Sequence, residues 1–279
     1  MHPIFNEIKN ALQGLYPDSE ATALAKLLLV EVLSFSTLEL YGGKDKVISE
    51  KERVLLKDII ERLQQNEPIQ YILGTEKFCD LLFKVDGNVL IPRPETQELV
   101  KWIITDYRNL TNCRVLDIGT GSGCIAISLA KYLQFPSVEA WDVSLGALKV
   151  AEENARNNQV EVCFLNRNVL TFVPEYADLD ILVSNPPYIT EEEKTEMEAN
   201  VIDWEPELAL FVQNDDPLLF YRKIAELGMV MLKPGGALYF EINRAYGNGT
   251  VDMLKEKGYT DVELRKDMFG NDRMVKAVR

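Results

Sequence analysis

The chain has 279 residues, 47% of them hydrophobic, and a formal net charge of −14. This composition suits a water-soluble globular protein with room for two small domains or one large one. Lys and Arg are scattered without a long basic run, which weighs against a nucleic-acid substrate and suits a protein partner with a basic face. Residues 1 to 73 show no strand alternation and read as a small helical domain. Pro17-Asp18-Ser19-Glu20 opens one helix, with a polar cap ahead of an apolar face. The apolar run 23–35, interrupted by Lys26 and Glu31, is too short to span a bilayer and fits a packed helix. Gly42-Gly43 breaks the chain. Ser49 and Glu52 then have capping-box spacing, followed by Val54, Leu55, Ile59, Ile60 and Leu63 at helical intervals. The start lacks the basic-then-apolar pattern of a signal peptide.

Residues 74 to 92 read as a connecting β-hairpin, with 81–85 and 88–91 flanking Asp86-Gly87. Pro92-Arg93-Pro94 forces an extended segment, and Glu95 opens a helix to about Tyr107. From Arg114 strands alternate with helices: 114–118, 138–142, 162–166, 180–184 and 237–242. That pattern predicts a parallel sheet covered on both faces. Gly235-Gly236 marks a tight turn before the fifth of these strands. The end is different, with 262–266 and 273–278 reading as two strands joined without a helix.

Two stretches carry chemistry. Gly119, Gly121 and Gly123 follow the strand 114–118 and precede a helix. Such glycines let the backbone turn tightly and approach a ligand, and the helix end directs N–H groups toward it. The spacing is not the dinucleotide fingerprint, because position 124 is Cys. A second strand ends in Asp142, whose carboxylate can accept both hydroxyls of a ribose and disfavours a 2′-phosphate. The strand 180–184 ends in Asn185-Pro186-Pro187-Tyr188. Two prolines cannot continue a sheet interior, so Asn185 stands at a carboxyl end, where open α/β sheets bind ligands. The Asn185 amide oxygen and the Pro186 carbonyl form two acceptors that match a planar NH2 group. Tyr188 offers an aromatic wall. The single histidine, His2, lies at a terminus expected to be mobile, which removes most histidine acid–base schemes and histidine-rich metal sites. Cys79, Cys113, Cys124 and Cys163 lack close spacing, so reduced thiols, no metal and a cytoplasmic setting are expected.

Asp117-x-Gly-x-Gly-x-Gly123, Asp142 and Asn185-Pro-Pro-Tyr188, in this order, resemble a class I S-adenosylmethionine-dependent methyltransferase. Pro68-Ile-Gln-Tyr-Ile-Leu-Gly74, Val89-Leu-Ile-Pro-Arg-Pro-Glu-Thr96, Glu205-Pro-Glu-Leu-Ala-Leu210, residues 215–221 and Phe269-Gly-Asn-Asp-Arg273 narrow this. They resemble the peptide chain release factor glutamine methyltransferases, the HemK/PrmC family. The resemblance implies a Rossmann-like seven-stranded α/β methyltransferase sheet over 93–279, with an antiparallel hairpin strand. The helical domain 1–73 then docks the substrate, and 74–92 links the two. The implied activity is methylation of the side-chain nitrogen (N5) of the glutamine in the Gly-Gly-Gln motif of release factors. A monomer is expected, with no membrane and no direct nucleic-acid contact.

The resemblance assigns S-adenosylmethionine, leaving as S-adenosylhomocysteine, to Asp117, Gly119, Thr120, Gly121, Ser122, Gly123, Asp142, Asn168, Val169 and Asn185. Asp117 is expected to order the loop and Asn168-Val169 to lie at the adenine. Catalysis falls to Asn185, Pro186 and Tyr188, and substrate binding to these with Pro187 and Arg93. Two positions depart from the family pattern: Asn168, where many members have Asp, and Gln97, where Glu is usual. Glu191-Glu-Glu-Lys194 reads as a solvated helix start, and Asp215-Asp216-Pro217 as a turn before a helix. The Asn-Pro-Pro-Tyr stretch is shared with adenine-N6 methyltransferases of DNA and RNA, which leaves that activity as an alternative. A non-catalytic S-adenosylmethionine-binding regulator is another.

Overall fold

In a computed structural model, which describes residues 2–42, 46–174, 178–190, 192–212 and 214–279, one compact unit spans Met1–Leu73 and another Gly74–Arg279. Gly43 and Glu191, two positions of the readings above, lie outside the described residues.

The first unit contains α1 (Pro3–Leu12), α2 (Asp18–Leu27), α3 (Thr37–Gly42), α4 (Glu50–Leu63) and α5 (Ile69–Leu73). Its core gathers Ile8, Leu12, Leu28, Leu29 and Leu63. The capping box at Ser49 and Glu52 forms as expected, starting α4. The inward face of that helix is Leu56, Ile59 and Leu63, whereas Val54 and Leu55 are exposed, because the 56–59–63 spacing excludes them from the buried stripe. Asp18 lies in the first turn of α2 and pairs with Lys9 at 2.8 Å, but the N-cap residue is Pro17 and makes no side-chain cap. His2 corrects the expectation of a mobile terminus, being only 7% exposed. Its Nδ1 accepts the Ile4 N–H at 3.3 Å, and its ring meets Phe35 edge-on at 5.1 Å. One imidazole thus caps an orphan donor of α1 and buries an apolar face.

The second unit opens with β1 (Thr75–Phe78) and β2 (Leu81–Lys84), an antiparallel hairpin turning at Cys79-Asp80. Asp86-Gly87 is therefore not its turn. Asn154 blocks the free edge of β2: its Oδ1 accepts Lys84 N–H at 2.6 Å, and its Nδ2 donates to the Lys84 carbonyl at 2.9 Å. No ladder edge remains there for 88–91 to pair with. After α6 (Pro94–Tyr107) come β3 (Arg114–Ile118), α7 (Cys124–Tyr132), β4 (Ser137–Asp142), α8 (Leu145–Asn158), β5 (Cys163–Asn166) and β6 (Leu179–Ser184). A two-residue strand β7 (Ile189–Thr190) follows, then α9 (Ala199–Trp204), α10 (Glu207–Leu210) and β8 (Phe211–Val212), which pairs with β7. The chain closes with α11 (Leu219–Met231), β9 (Leu232–Glu241), α12 (Gly247–Glu256), β10 (Thr260–Lys266) and β11 (Asp272–Val278).

The main sheet has seven strands in the order β10-β11-β9-β6-β3-β4-β5. Strands β5, β4, β3, β6 and β9 are parallel, and β11 alone is reversed, lying antiparallel between β9 and β10. β9 begins at Leu232, but its pairing with β6 slips between Leu179↔Leu232 and Ile181↔Ala237, and Gly235 has φ +80. Gly235-Gly236 therefore form a turn within the strand's irregular start, ahead of the regular pairing from Ala237. A Cβ at Gly236 would sit 2.8 Å from the Leu179 carbonyl, which explains why the position is bare. Side chains alternate between two cores. Val115, Ile181, Val183 and Tyr239 face one with α6 and α7, while Leu116, Leu182, Leu238 and Phe240 face the other with α11 and α12. Among the described residues no helix is long and apolar enough to cross a membrane.

Candidate active site

Strand order dictates where a ligand can enter. β4 and β5 lie on one side of β3, and β6 and β9 on the other, so the chain reverses direction beside β3. A crevice opens at the carboxyl ends of strands at such a switch point. Registers Ile118↔Trp141 and Ile118↔Ser184 bring the ends of β3, β4 and β6 level. The cavity there is lined from β3 by Ile118, Gly119, Thr120, Gly121 and Ser122, and from β4 by Asp142. It continues over Arg167, Asn168 and Val169 after β5, and Asn185, Pro186 and Pro187 after β6. Arg93 and Thr96 close one side, and Pro206, Leu208 and Ala209 another.

The loop after β3 is fastened from within. The amides of Gly119 and Thr120 both donate to the Trp141 carbonyl at 2.9 Å. Gly121 N–H donates to Asp142 Oδ2 at 2.9 Å, and Ser144 N–H to Asp142 Oδ1 at 2.8 Å. Asp142 therefore braces the loop and holds Ser144, the N-cap of α8, while still lining the cavity. Its burial raises its pKa above the usual carboxylate range, opposed by the backbone amides that it accepts. Asp117 is fully buried and does not line the cavity. Its Oδ2 accepts Thr120 Oγ1–H at 2.7 Å and Ala126 N–H at 3.2 Å, placing a carboxyl against the positive end of α7. Burial raises its pKa to about 7. Gly123 has φ +81, and a Cβ there would lie 2.8 Å from Ile127 Cδ1 and 3.2 Å from Ala151 Cβ. It serves the packing of α7 on α8 rather than the cavity wall. Gly119 has φ +76, and an added Cβ would meet the Asn185 carbonyl at 3.9 Å, an ordinary contact, so the backbone conformation is what favours glycine there.

Beyond β5, the Asn168 Oδ1 accepts Leu170 N–H at 2.9 Å and so shapes its own turn. Arg167 stacks its guanidinium over Trp141 and Phe172, 5.1 and 4.7 Å from the ring centres. Gln97 uses its Oε1 to accept Cys79 N–H at 2.8 Å. That contact needs an acceptor and no charge.

The loop after β6 is fastened from outside. Asn185 Nδ2 donates to Thr96 Oγ1 at 3.3 Å, and Thr96 Oγ1–H donates to Glu241 Oε2 at 2.5 Å. Tyr188 O–H donates to the other oxygen of Glu241 at 3.2 Å. Tyr188 does not line the cavity; its ring packs against the core containing α11. Arg93 faces the cavity, but its Nη2 is paired with Glu205 Oε1 at 2.5 Å, and Glu205 also accepts Ile91 N–H at 3.3 Å. Thr96 and Glu241 escaped the reading of single residues. The available signal for Glu241 was an acidic residue ending an otherwise apolar strand. Among the described residues no cluster of His, Cys, Asp and Glu could hold a metal.

The chain matches the family model described as Methyltransferase small domain over residues 96–204, and the PrmC N-terminal domain over 4–74. A release factor glutamine methyltransferase of Bacteroides thetaiotaomicron is 51% identical over 280 residues, covering 100% of each chain. One from Flavobacterium psychrophilum is 44% identical over 269 residues, covering 95% of this chain and 94% of that protein. Among solved structures, the Thermus thermophilus 16S rRNA N2 G1207 methyltransferase in complex with AdoMet and guanosine shares the fold. It has a TM-score of 0.52 at 16% identity, over 74% of this chain and 49% of that one.

Proposed function

This chain belongs to the release factor glutamine methyltransferase family, and from that premise we propose how its residues act. The enzyme methylates the side-chain nitrogen of the glutamine in the Gly-Gly-Gln motif of release factors, with S-adenosylmethionine as donor. The loop end of the cavity fits that donor. Asp142 presents a partly buried carboxylate suited to a ribose diol, and Gly121 has open space where a side chain would stand. Asp142 would hold the ribose, Val169 and Asn168 would border the adenine, and Gly119 to Ser122 would admit the rest. Asp117 and Gly123 support this end from behind. When bound, S-adenosylmethionine supplies a sulfonium-activated methyl, so its departure needs no acid.

The difficulty lies with the nucleophile, because an amide nitrogen shares its lone pair with its carbonyl. Asn185 Oδ1 and the Pro186 carbonyl would accept its two hydrogens, hold it in line and favour positive charge developing there. No base is required first, since an N-alkylated amide cation loses its proton readily. Pro187 and Arg93 would border the peptide, and Tyr188 would anchor the loop through Glu241. The observation that carries this reading is the Asn185 amide at a strand end, its Nδ2 committed to Thr96, leaving Oδ1 for a ligand. The helical unit 1–73 would dock the release factor, since the cavity is lined entirely from 74–279. The reading also assigns a cytoplasmic monomer without direct nucleic-acid contact.

The test offers labelled S-adenosylmethionine with a purified release factor and, separately, unmodified DNA and RNA. Label is expected on the glutamine of Gly-Gly-Gln and is lost on Gln→Ala. Label on nucleic acid alone would overturn the substrate.

A further inference from the structure

We propose that Glu241, acting through Thr96, is a positioning residue that sets the orientation of the Asn185 amide. The inference deepens the reading of Asn185 as an acceptor and rests on it. An amide side chain has nearly the same shape in its two flipped states. Only one of them presents Oδ1 to an incoming NH2; the other sets donors against donors. Something must therefore choose, and two prolines after Asn185 contribute no side-chain hydrogen bond.

Thr96 supplies the choice. It is 3% exposed, in the first turn of α6, and its hydroxyl carries a single proton. Burial raises the Glu241 pKa and Glu95 adds to the rise, while the Thr96 and Tyr188 hydroxyls and the Arg273 guanidinium oppose it. In its carboxylate form Glu241 can only accept, and it takes the Thr96 proton at 2.5 Å. Thr96 is left with lone pairs alone toward Asn185, so Asn185 must answer with Nδ2. Oδ1 is then the atom available to a ligand. The second Glu241 oxygen accepts Tyr188 O–H, so one carboxylate ties both ends of the 185–188 loop. Glu241 is 1% exposed and ends β9, the neighbour of β6 in the sheet. A buried carboxylate is costly unless its lone pairs are used, and here two hydroxyls use them.

The test is steady-state kinetics of the full chain with a release factor, alongside S-adenosylmethionine affinity and thermal melting. Thr96→Val keeps the shape and removes the hydroxyl. It is expected to lower kcat by about 10- to 100-fold, the scale of a misplaced reacting group, with KM and cofactor affinity within about threefold. Thr96→Ser is expected to restore most of that loss. Glu241→Gln can donate to Thr96 and free the opposite amide orientation, so it should also lower kcat selectively. A Thr96→Val kcat within about twofold of wild type would overturn the inference. So would an equal loss in Thr96→Ser, or losses that follow the melting temperature. These outcomes are ratios between variants. A wild type that methylates nucleic acid instead would refute the substrate reading while leaving the kcat ratio to decide this one.

Discussion

The loops after β3 and β6 border one cavity, yet they are held in opposite ways. The first draws on near neighbours: Asp117 reaches Thr120 and Ala126, and Gly121 reaches Asp142. The second draws on residues remote in sequence. Asn185 reaches Thr96 across 89 positions, and Tyr188 reaches Glu241 across 53. The difference teaches how one cavity can separate binding from chemistry. A locally fastened loop suits a cofactor of fixed shape. A loop tied through a side-chain relay can fix the orientation of a single amide.

If that division is right, substitutions at the two ends should fail in different ways. Asn185→Ala has the largest expected effect: transfer falls by about 10³-fold or more, comparable to losing an oriented polar group in an active site. Cofactor affinity stays within a few-fold. Single-turnover transfer and calorimetry measure the two separately, and lost affinity with transfer retained would break the comparison. Asp142→Ala should show the reverse pattern. Hydrogen bonds to a charged group are worth roughly 1.5–3 kcal/mol each, so losing both ribose hydroxyl contacts should lower cofactor affinity by about 10²- to 10⁴-fold. Turnover at saturating cofactor should change much less. Unchanged binding would remove Asp142 from the ribose.

The smallest expected effect on transfer sharpens the role of Asp117 behind the first loop. Folding raises its pKa from 3.8 to about 7 through burial. Between these values the folded chain binds more protons than the unfolded chain, so this group's contribution to stability falls as pH rises through the window. Asp117→Asn has no such proton linkage. Its stability relative to wild type should therefore rise between about pH 4 and pH 7, by at most about 1.4 kcal/mol per pH unit, and level off above. Denaturant melts of both proteins across that range test this. A pH-independent difference would place the Asp117 pKa near that of an ordinary carboxylate.

Several features were legible because they depend on short stretches. The apolar runs 114–118 and 180–184 became β3 and β6 with little change in their ends, since a buried strand needs only a run of suitable side chains. The double proline ended β6 and exposed Asn185 for the same local reason. Two expectations failed. The hairpin turns at Cys79-Asp80, both at positive φ, and Asn154 on α8 binds the outer edge of β2 at Lys84. Phe35 drew His2 into the helical core. Tyr188, read as a wall, turned toward Glu241 because that buried carboxylate accepts a hydroxyl.

The sequence by itself determined the parts: a helical unit ahead of a parallel sheet, a glycine turn, an acid ending β4 and an amide ending β6. Periodicity and proline chemistry act within a few residues and can be read along the chain. Only the tertiary structure decided that Thr96 and Glu241 meet at Asn185. The order of strands in a sheet is set by packing over the whole domain, and hydrogen bonds between distant side chains exist only after that packing is complete.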